Sequence, residues 1–503
     1  MYPIGLQTLL DAIRVNITSW SVAYLFALIS FLAYVLPLWP EDDDKGVMLP
    51  GRLPFTIAPY FQRRFDFLHW GFEYTKQRIY RFRLLTNSVM VVSGDQGRMD
   101  FFNAKSLNLH EGFRVLSGAL PFVQGVTVDL RERRIAQIYK RLAAVQKTER
   151  LTELIPEILG DCRRAMVSWG KAGRLEPFDG IYELAFQLSV RCVTCVEIAD
   201  DPAVVLRLRK WYDQVDRGTT AATVLFPWFP SPAMLRKAYA TKQIYSLVTN
   251  TIKVRKESGV PRDDTLQMLL DAGDDQLMIV GFIMGLLIAG ARSTGNTASW
   301  LITFLGCHPE WRSKARLEVQ QLIASSGTSS KATDSDIADV LSTIPVTAWE
   351  TEAPVLDSLI HETLRISESH VAMRRNLGPT VHIDGKTLPS GSFALYPFSD
   401  VHLNPEFYSD PYQFDPSRPA RKDGFEFLGW GAGRISCLGQ RLAKLQLRLL
   451  TAMFVLNYDF QTVDDRGMPA DPPPKPDWND TLYCRPSNGQ FFLDYRESDA
   501  GKA

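Results

Sequence analysis

Cys437 closes the run Trp430-Gly431-Ala432-Gly433-Arg434-Ile435-Ser436-Cys437-Leu438-Gly439, and Leu438, Leu442, Leu445, Leu449, Met453 and Leu456 then recur at spacings of three and four. That period is helical, so a glycine-rich loop delivers a cysteine to a helix N-terminus. The helix dipole and free amides there are expected to favour thiolate over thiol. Glycines let backbone pass close to a flat, bulky partner, and a thiolate so held suits an axial position on haem iron. A cysteine after a glycine turn also fits a buried structural role. Three further segments weigh against that reading.

The first is His361-Glu362-Thr363-Leu364-Arg365, ending a stretch from Glu350 with Val355, Leu356, Leu359, Ile360 and Leu364 on one face. Glu362 and Arg365 are helical neighbours three apart and can pair. The second is Phe414-Asp415-Pro416-Ser417-Arg418, upstream of the cysteine loop. The third is Ile288-Ala289-Gly290-Ala291-Arg292-Ser293-Thr294, inside an apolar run from Leu277 to Leu305. Small residues followed by hydroxyls there can open a helix face to a ligand.

In order and spacing these segments resemble the cytochrome P-450 superfamily of haem-thiolate monooxygenases, over nearly the whole chain. Gly433, Cys437 and Gly439 match the family loop F-x-x-G-x-(R/H)-x-C-x-G, with Trp430 on its aromatic position. Glu362 and Arg365 match E-x-x-R, and Arg418 matches the arginine that completes a buried triad. Gly-Ala-Gly-Arg before the cysteine is similar to eukaryotic sterol demethylases. His308-Pro309-Glu310-Trp311-Arg312 and Asp400-Val401-His402-Leu403-Asn404-Pro405 look fungal. The resemblance implies a mainly α fold with a small β-rich portion, and heme b ligated by Cys437. Arg374, Arg434, Trp430, Gly433 and Gly439 are the further cofactor contacts it suggests.

The departures matter too. Ile435 stands where a propionate-binding Arg or His is usual. Where the family reads (A/G)-G-x-(D/E)-T, Ala289 and Gly290 match, Arg292 takes the acid position, Ser293 the threonine position, and Thr294 follows. A guanidinium stays charged at working pH and is a poor proton donor. Ser293 and Thr294 are therefore the candidate catalytic hydroxyls. Arg292 is expected either to turn to a helix partner or to bind an anionic group on the substrate.

The resemblance implies insertion of one oxygen atom from O2 into a lipophilic small molecule of terpenoid, sterol, fatty-acid or related secondary-metabolite class. Electrons would come from NADPH through a separate cytochrome P-450 reductase, with cytochrome b5 a further partner, because the chain has no nucleotide fingerprint. An oxygen-independent isomerase or dehydratase, and a non-catalytic haem protein, are the alternatives. Phe113, Leu116 and Phe122 in the apolar stretch Ser106 to Val128, expected to be a loop, Ala289 and Gly290, and Val371 and Met373 are the pocket candidates.

The 503 residues carry 56 basic and 56 acidic side chains, which argues against nucleic-acid binding, and 46% hydrophobic content supports a large core. Six cysteines are scattered. Cys192 and Cys195 form a C-x-x-C without a second pair and read as buried helix residues. The pattern suits a reducing compartment.

Val15 to Pro40 lacks any charge, long enough for a spanning helix. Lys45, Arg52, Arg63 and Arg64 follow it, against Arg14 alone before it. The positive-inside rule then places the catalytic side in the cytosol, giving a single-pass endoplasmic reticulum protein with a monomeric catalytic unit. The expected divisions are an anchor segment 1–40, an acidic and Pro-containing linker 41–69, a catalytic domain 70–496 and a tail 497–503. Leu225-Phe226-Pro227-Trp228-Phe229-Pro230 between two helices reads either as core packing or as a lip that dips into the bilayer. Helices are expected over 129–150, 151–169, 181–196, 202–218 and 231–256, and strands over 88–92, 381–389, 392–395 and 490–495. Ser325 to Ser335 and Asp464 to Asp477 are expected to be loops.

Overall fold

The computed structural model describes residues 24–25, 27–28, 43–49, 54–84, 87–117, 132–226, 229–326, 336–368, 370–419 and 424–498. Most of the expected anchor, residues 41–42 and 50–53 of its linker, Phe122, Pro227, Trp228, most of the Ser325–Ser335 loop and residues 499–503 lie outside them. The chain divides into two units, 1–108 with 374–395, and 109–373 with 396–503.

The smaller unit is built on a six-stranded sheet. Its order is Val47–Met48, Ile79–Leu84, Asn87–Val92, Phe393–Pro397, Val371–Asn376, Leu107–Asn108. Ile79–Leu84 was not expected as a strand, because Arg81 and Arg83 interrupt its apolar residues. It pairs antiparallel with Asn87–Val92, and Arg81 is satisfied in place through its Nε, which donates to the Gly46 carbonyl at 3.2 Å.

The larger unit is helical. Its principal helices are α1 (Thr148–Trp169), α2 (Pro177–Val193), α3 (Pro202–Arg217), α4 (Pro232–Ser258), α5 (Gln276–Cys307), α6 (Pro309–Ser325), α7 (Pro354–Ser367) and α8 (Gln440–Asn457). The rod α5 is the one helix among the described residues long and apolar enough to cross a membrane. Half of its apolar window is buried and it packs on α2, α7 and α8, so here it is a core helix. Ser299 seats it on α2, its hydroxyl donating to the Pro177 carbonyl at 3.0 Å, and Phe178 meets Trp300 edge-on at 5.2 Å.

Two local expectations are corrected. Leu109–Ser117 is a helix rather than a loop. The expected helix from Glu350 to Arg365 is two: Val346–Thr351 ends, and α7 starts at Pro354. Proline lacks an N–H and fits the first helical turn, not the interior.

The N-terminus of α7 has no side-chain cap of its own at Ala353. Glu318 of α6 supplies one from a distance: its two carboxylate oxygens accept the amides of Val355 at 2.6 Å and Leu356 at 2.9 Å. An anion at a helix N-terminus satisfies orphan donors and complements the dipole. Replacing Glu318 by Ala is expected to lower stability by about 1–2 kcal/mol, read as a lower midpoint in urea or thermal unfolding, with Glu318→Gln recovering part of the loss.

Candidate active site

The cysteine loop is built from the backbone outward. Gly431–Ala432 and Ile435–Ser436 form a small antiparallel hairpin. Its two-residue turn starts at Gly433, whose φ is +58°; hairpin turns of this length demand such a residue. Gly431 has φ +76°, and a Cβ there would lie 2.6 Å from the Ile435 carbonyl oxygen. The hairpin is extended by Cys437, whose amide donates to the Trp430 carbonyl at 2.6 Å. Trp430 is half-buried against the core, while Arg434 is exposed at the tip and makes no ion pair among the described residues.

Cys437 has a solvent-accessible side chain. Enclosure by surrounding protein nevertheless raises its thiol above the ordinary value, while a hydrogen bond from the Gly439 amide pulls it down. This corrects the expectation that the helix terminus favours the thiolate. Helix α8 begins at Gln440, so one amide, not a full turn, addresses the sulfur, and desolvation outweighs it. Leu438 is 47% exposed rather than part of the buried stripe, and its carbonyl accepts from Gln146 Nε2 at 2.6 Å.

Behind the loop lies a buried ionic cluster. Arg365 grips Glu362 by two bonds of 2.7 Å, Nε to Oε2 and a terminal nitrogen to Oε1. Arg418 Nε reaches Oε1 at 3.2 Å, and the Asp415 amide donates to the same oxygen at 3.0 Å. Glu362 and Arg365 are essentially without solvent access. Arg365 also donates to the carbonyls of His402 and Pro411, both at 2.6 Å.

From His402 the contacts continue to the cysteine. Its Nε2 accepts the Leu428 amide at 2.9 Å, and the Leu428 carbonyl accepts from Gly431 at 2.8 Å. Phe427 stacks on His361 at 3.7 Å and on His402 at 5.3 Å. Burial holds His361 down to about 4 and His402 well below its ordinary value, with nearby cations adding to both. Both rings are thus neutral near pH 7. Sequence reasoning missed them: His361 merely adjoins Glu362, and His402 sits in a segment noted only for its wording.

Helix α5 opens a strip. It changes to a π turn over Leu287–Ala291, a distortion frequent at functional sites. Ala289 and Ser293 are exposed, and a Cβ on Gly290 would meet nothing within 4 Å. The Ser293 hydroxyl lies 3.2 Å from the carbonyls of both Ala289 and Gly290. Thr294 is buried. Arg292 turns to a helix partner, pairing with Asp216 of α3 at 3.1 Å. Desolvation raises the Asp216 carboxyl, and Arg292 opposes that rise.

Leu116 is buried and Phe113 half-buried on the helix Leu109–Ser117. Val371 and Met373 are buried on the strand Val371–Asn376. In the smaller unit Arg374 is buried with its guanidinium over Phe101 at 5.5 Å, and desolvation lowers it to about 10. Cys192 and Cys195 are buried and free. No cluster of three or more His, Cys, Asp or Glu able to hold a metal ion occurs among the described residues. The donor set is thus a single accessible sulfur addressed by the Gly439 amide, which suits a thiolate ligand to haem iron rather than a cage for a bare ion.

The family model Cytochrome P450 matches residues 72–491, and the chain belongs to that family. Similar proteins include cytochrome P450 monooxygenase AacuE of Aspergillus aculeatus, 29% identical over 88% of this chain and 91% of that one. Cytochrome P450 monooxygenase dmxR5 of a Cryptosporiopsis species is 27% identical over 92% of each. Lanosterol 14-alpha demethylase of Bos taurus is 23% identical over 88% of each. The cyanobacterial CYP120A1 with bound retinoic acid has the same fold, at TM-score 0.67 and 18% identity over 90% of this chain and all of the other. The chain is an enzyme, a haem-containing cytochrome P450 monooxygenase, and the fungal and sterol-demethylase wording of its motifs agrees with these relatives.

Two outcomes are expected of the cluster behind the loop. Glu362→Ala strands the buried Arg365 guanidinium and frees the half-buried Arg418, and should cost on the order of 3–5 kcal/mol, seen as loss of soluble haem-loaded protein. The histidines set an acid limit. Because their folded values lie below the unfolded one, the unfolded chain binds more protons between pH 6.5 and about 4. Stability is then full above pH 6.5 and falls as pH drops through that window. His361→Phe keeps the stack without the proton, and should flatten the fall in unfolding midpoint.

Proposed function

We propose that this enzyme inserts one atom of dioxygen into a lipophilic small molecule, with Cys437 the residue that would bind the iron of heme b. The observation that carries the reading is the hydrogen-bonded path from the buried Glu362–Arg365 pair to the Cys437 loop, in a chain of this family. The haem, when bound, supplies oxygen activation favoured by thiolate donation. The Gly439 amide tempers the sulfur's charge, and Trp430 packs beside it. Arg374 and Arg434 are the candidate cations for the haem propionates.

Ser293, whose hydroxyl lies 3.2 Å from the Ala289 and Gly290 carbonyls, would order water for oxygen activation, with Thr294 a secondary contributor. Phe113, Leu116, Ala289, Gly290, Val371 and Met373 are the candidates for the apolar lining. The lanosterol demethylases, whose name states a sterol substrate, support a lipophilic substrate class. The fungal relatives support a secondary-metabolic one. Electrons come from NADPH through a separate reductase, with cytochrome b5 as an accessory donor. The uncharged segment 15–40 anchors the protein in the endoplasmic reticulum membrane with the catalytic domain in the cytosol. Of that segment, Tyr24, Leu25 and Leu28 expose large apolar side chains, as an anchor would.

Cys437→Ala and Cys437→His should both abolish the red-shifted Soret band of the reduced carbonyl complex; a variant that keeps the band overturns the ligand assignment. Ser293→Ala should divert NADPH-derived electrons into peroxide and water, with Thr294→Ala the smaller effect, measured as product formed per NADPH consumed. Turnover that needs neither NADPH nor reductase would instead indicate a rearranging enzyme.

A further inference from the structure

We propose that Gln146 is a positioning residue for the iron-binding cysteine: its side-chain amide fixes the peptide unit between Leu438 and Gly439, and so sets how strongly the Gly439 N–H restrains the Cys437 sulfur. The inference rests on the reading of Cys437 given above. Gln146 lies in the turn between the helix Glu132–Val145 and α1, 292 residues from Leu438 in sequence. No motif marks it, and only the fold brings it to the cysteine loop.

The start of α8 shows what it does. The cap residue, Gly439, has no side chain to offer, and the Ala443 amide closes the first turn on the Gly439 carbonyl at 2.9 Å. One residue earlier, a helix would pair the Leu442 amide with the Leu438 carbonyl. Gln146 takes both groups. Its Nε2 donates to the Leu438 carbonyl at 2.6 Å, and its Oε1 accepts the Leu442 amide at 3.3 Å. Nε2 also reaches the Leu142 carbonyl at 3.3 Å. With the amide turned over, its oxygen would face two carbonyls, so its neighbours set its orientation. The turn is itself clamped to α8. Arg441 donates to the Gln146 backbone carbonyl at 2.5 Å and to the Thr148 hydroxyl at 3.0 Å, and its Nε grips Glu350 at 2.6 Å.

The Leu438 carbonyl and the Gly439 N–H are opposite ends of one planar peptide unit. A donor that holds the carbonyl therefore holds the N–H, which hydrogen-bonds the Cys437 sulfur. Gly439 restrains that plane little, because a Cβ there would meet nothing within 4 Å and glycine turns freely. Gln146 supplies the missing restraint. It also acts electronically: donation to the carbonyl polarises the unit and strengthens the N–H as a donor, by on the order of 10–30%. The firmer that N–H, the more charge it holds on the sulfur and the less the sulfur passes to iron. Hydrogen bonds around a ligand are among the protein's levers on haem potential.

The test is the one-electron midpoint potential of the full-length haem-loaded enzyme, read by redox titration, with haem content and the carbonyl-complex Soret band measured on the same samples. Gln146→Met keeps size and neutrality and removes both contacts. It should favour the ferric form on the order of threefold at a fixed potential, a midpoint lower by about 30 mV at about 59 mV per tenfold. Gln146→Glu still accepts from Leu442 but cannot donate to Leu438, and should shift the midpoint at least as far. Lys147→Gln makes the same change of charge at the adjacent exposed residue and should shift it less. Thr148→Val loosens the same turn without touching the Leu438 carbonyl and should leave the midpoint in place. Haem content and the red-shifted band should be normal in all four.

A wild-type midpoint in Gln146→Met overturns the proposal, as do equal shifts in Gln146→Glu and Lys147→Gln. So does a shift in Thr148→Val as large as that in Gln146→Met, which would make the effect one of general loosening. Should Gln146→Met load no haem, Gln146→Glu against Lys147→Gln decides. If wild type lacks the red-shifted band, the reading of Cys437 fails and the proposal with it; a normal band with an unmoved midpoint sinks the role of Gln146 alone.

Discussion

The buried bidentate contact between Arg365 and Glu362 is the constraint on which the larger unit depends. Two charges removed from water repay their desolvation only when geometry is good and the remaining donors are satisfied. Here the guanidinium meets that condition by holding carbonyls of His402 and Pro411, residues far from it in sequence. Arg418 and the Asp415 amide take up the remaining capacity of the carboxylate. The pair therefore acts as a clamp on irregular chain. Segments 402–418 have little regular structure, and the clamp supplies order that a helix or sheet would otherwise give.

The clamp reaches the cysteine through one ring. His402 offers its backbone carbonyl to Arg365 and its Nε2 to Leu428, so the carboxylate cluster and the hairpin share a residue. Neutral imidazole is required, because a protonated ring has no lone pair for the Leu428 amide. Burial between Phe398 and Phe427, and the nearby Arg365 charge, keep it neutral. The same cation that organises the carbonyls thus also fixes the protonation state of the acceptor beside them.

What the sequence disclosed, and what it hid, follows from the range of the interactions. Helices with a continuous apolar face were legible nearly to their ends: Pro202–Gly218 was expected and Pro202–Arg217 is found. Glu362, Arg365, Arg418 and Cys437 were named from motif wording, and the structure brings the first three into one cluster. Elements whose burial depends on distant partners were not legible. Ile79–Leu84 carries two arginines and looks polar until its neighbours are in place. The cap on α7 comes from Glu318, far outside any local capping pattern. The thiol of Cys437 was misjudged because a helix terminus is a local cue, whereas the desolvation that opposes it comes from the surrounding fold.

The rod α5 shows how a single charge substitution is absorbed. An arginine facing an internal site without a partner would cost several kcal/mol. Here the guanidinium lies against Asp216 of α3, so the charge introduced on one helix is met by another that packs nearby. The open strip of Ala289, Gly290 and Ser293 is left uncharged as a result. Just after the π turn the Ser293 hydroxyl lies 3.2 Å from the carbonyls of Ala289 and Gly290, the back-bonding usual for a helical serine. One hydroxyl and two backbone carbonyls are thus the polar groups that this strip presents. The charge that the family pattern would place on this helix as an acid is here a guanidinium, and a second helix meets it.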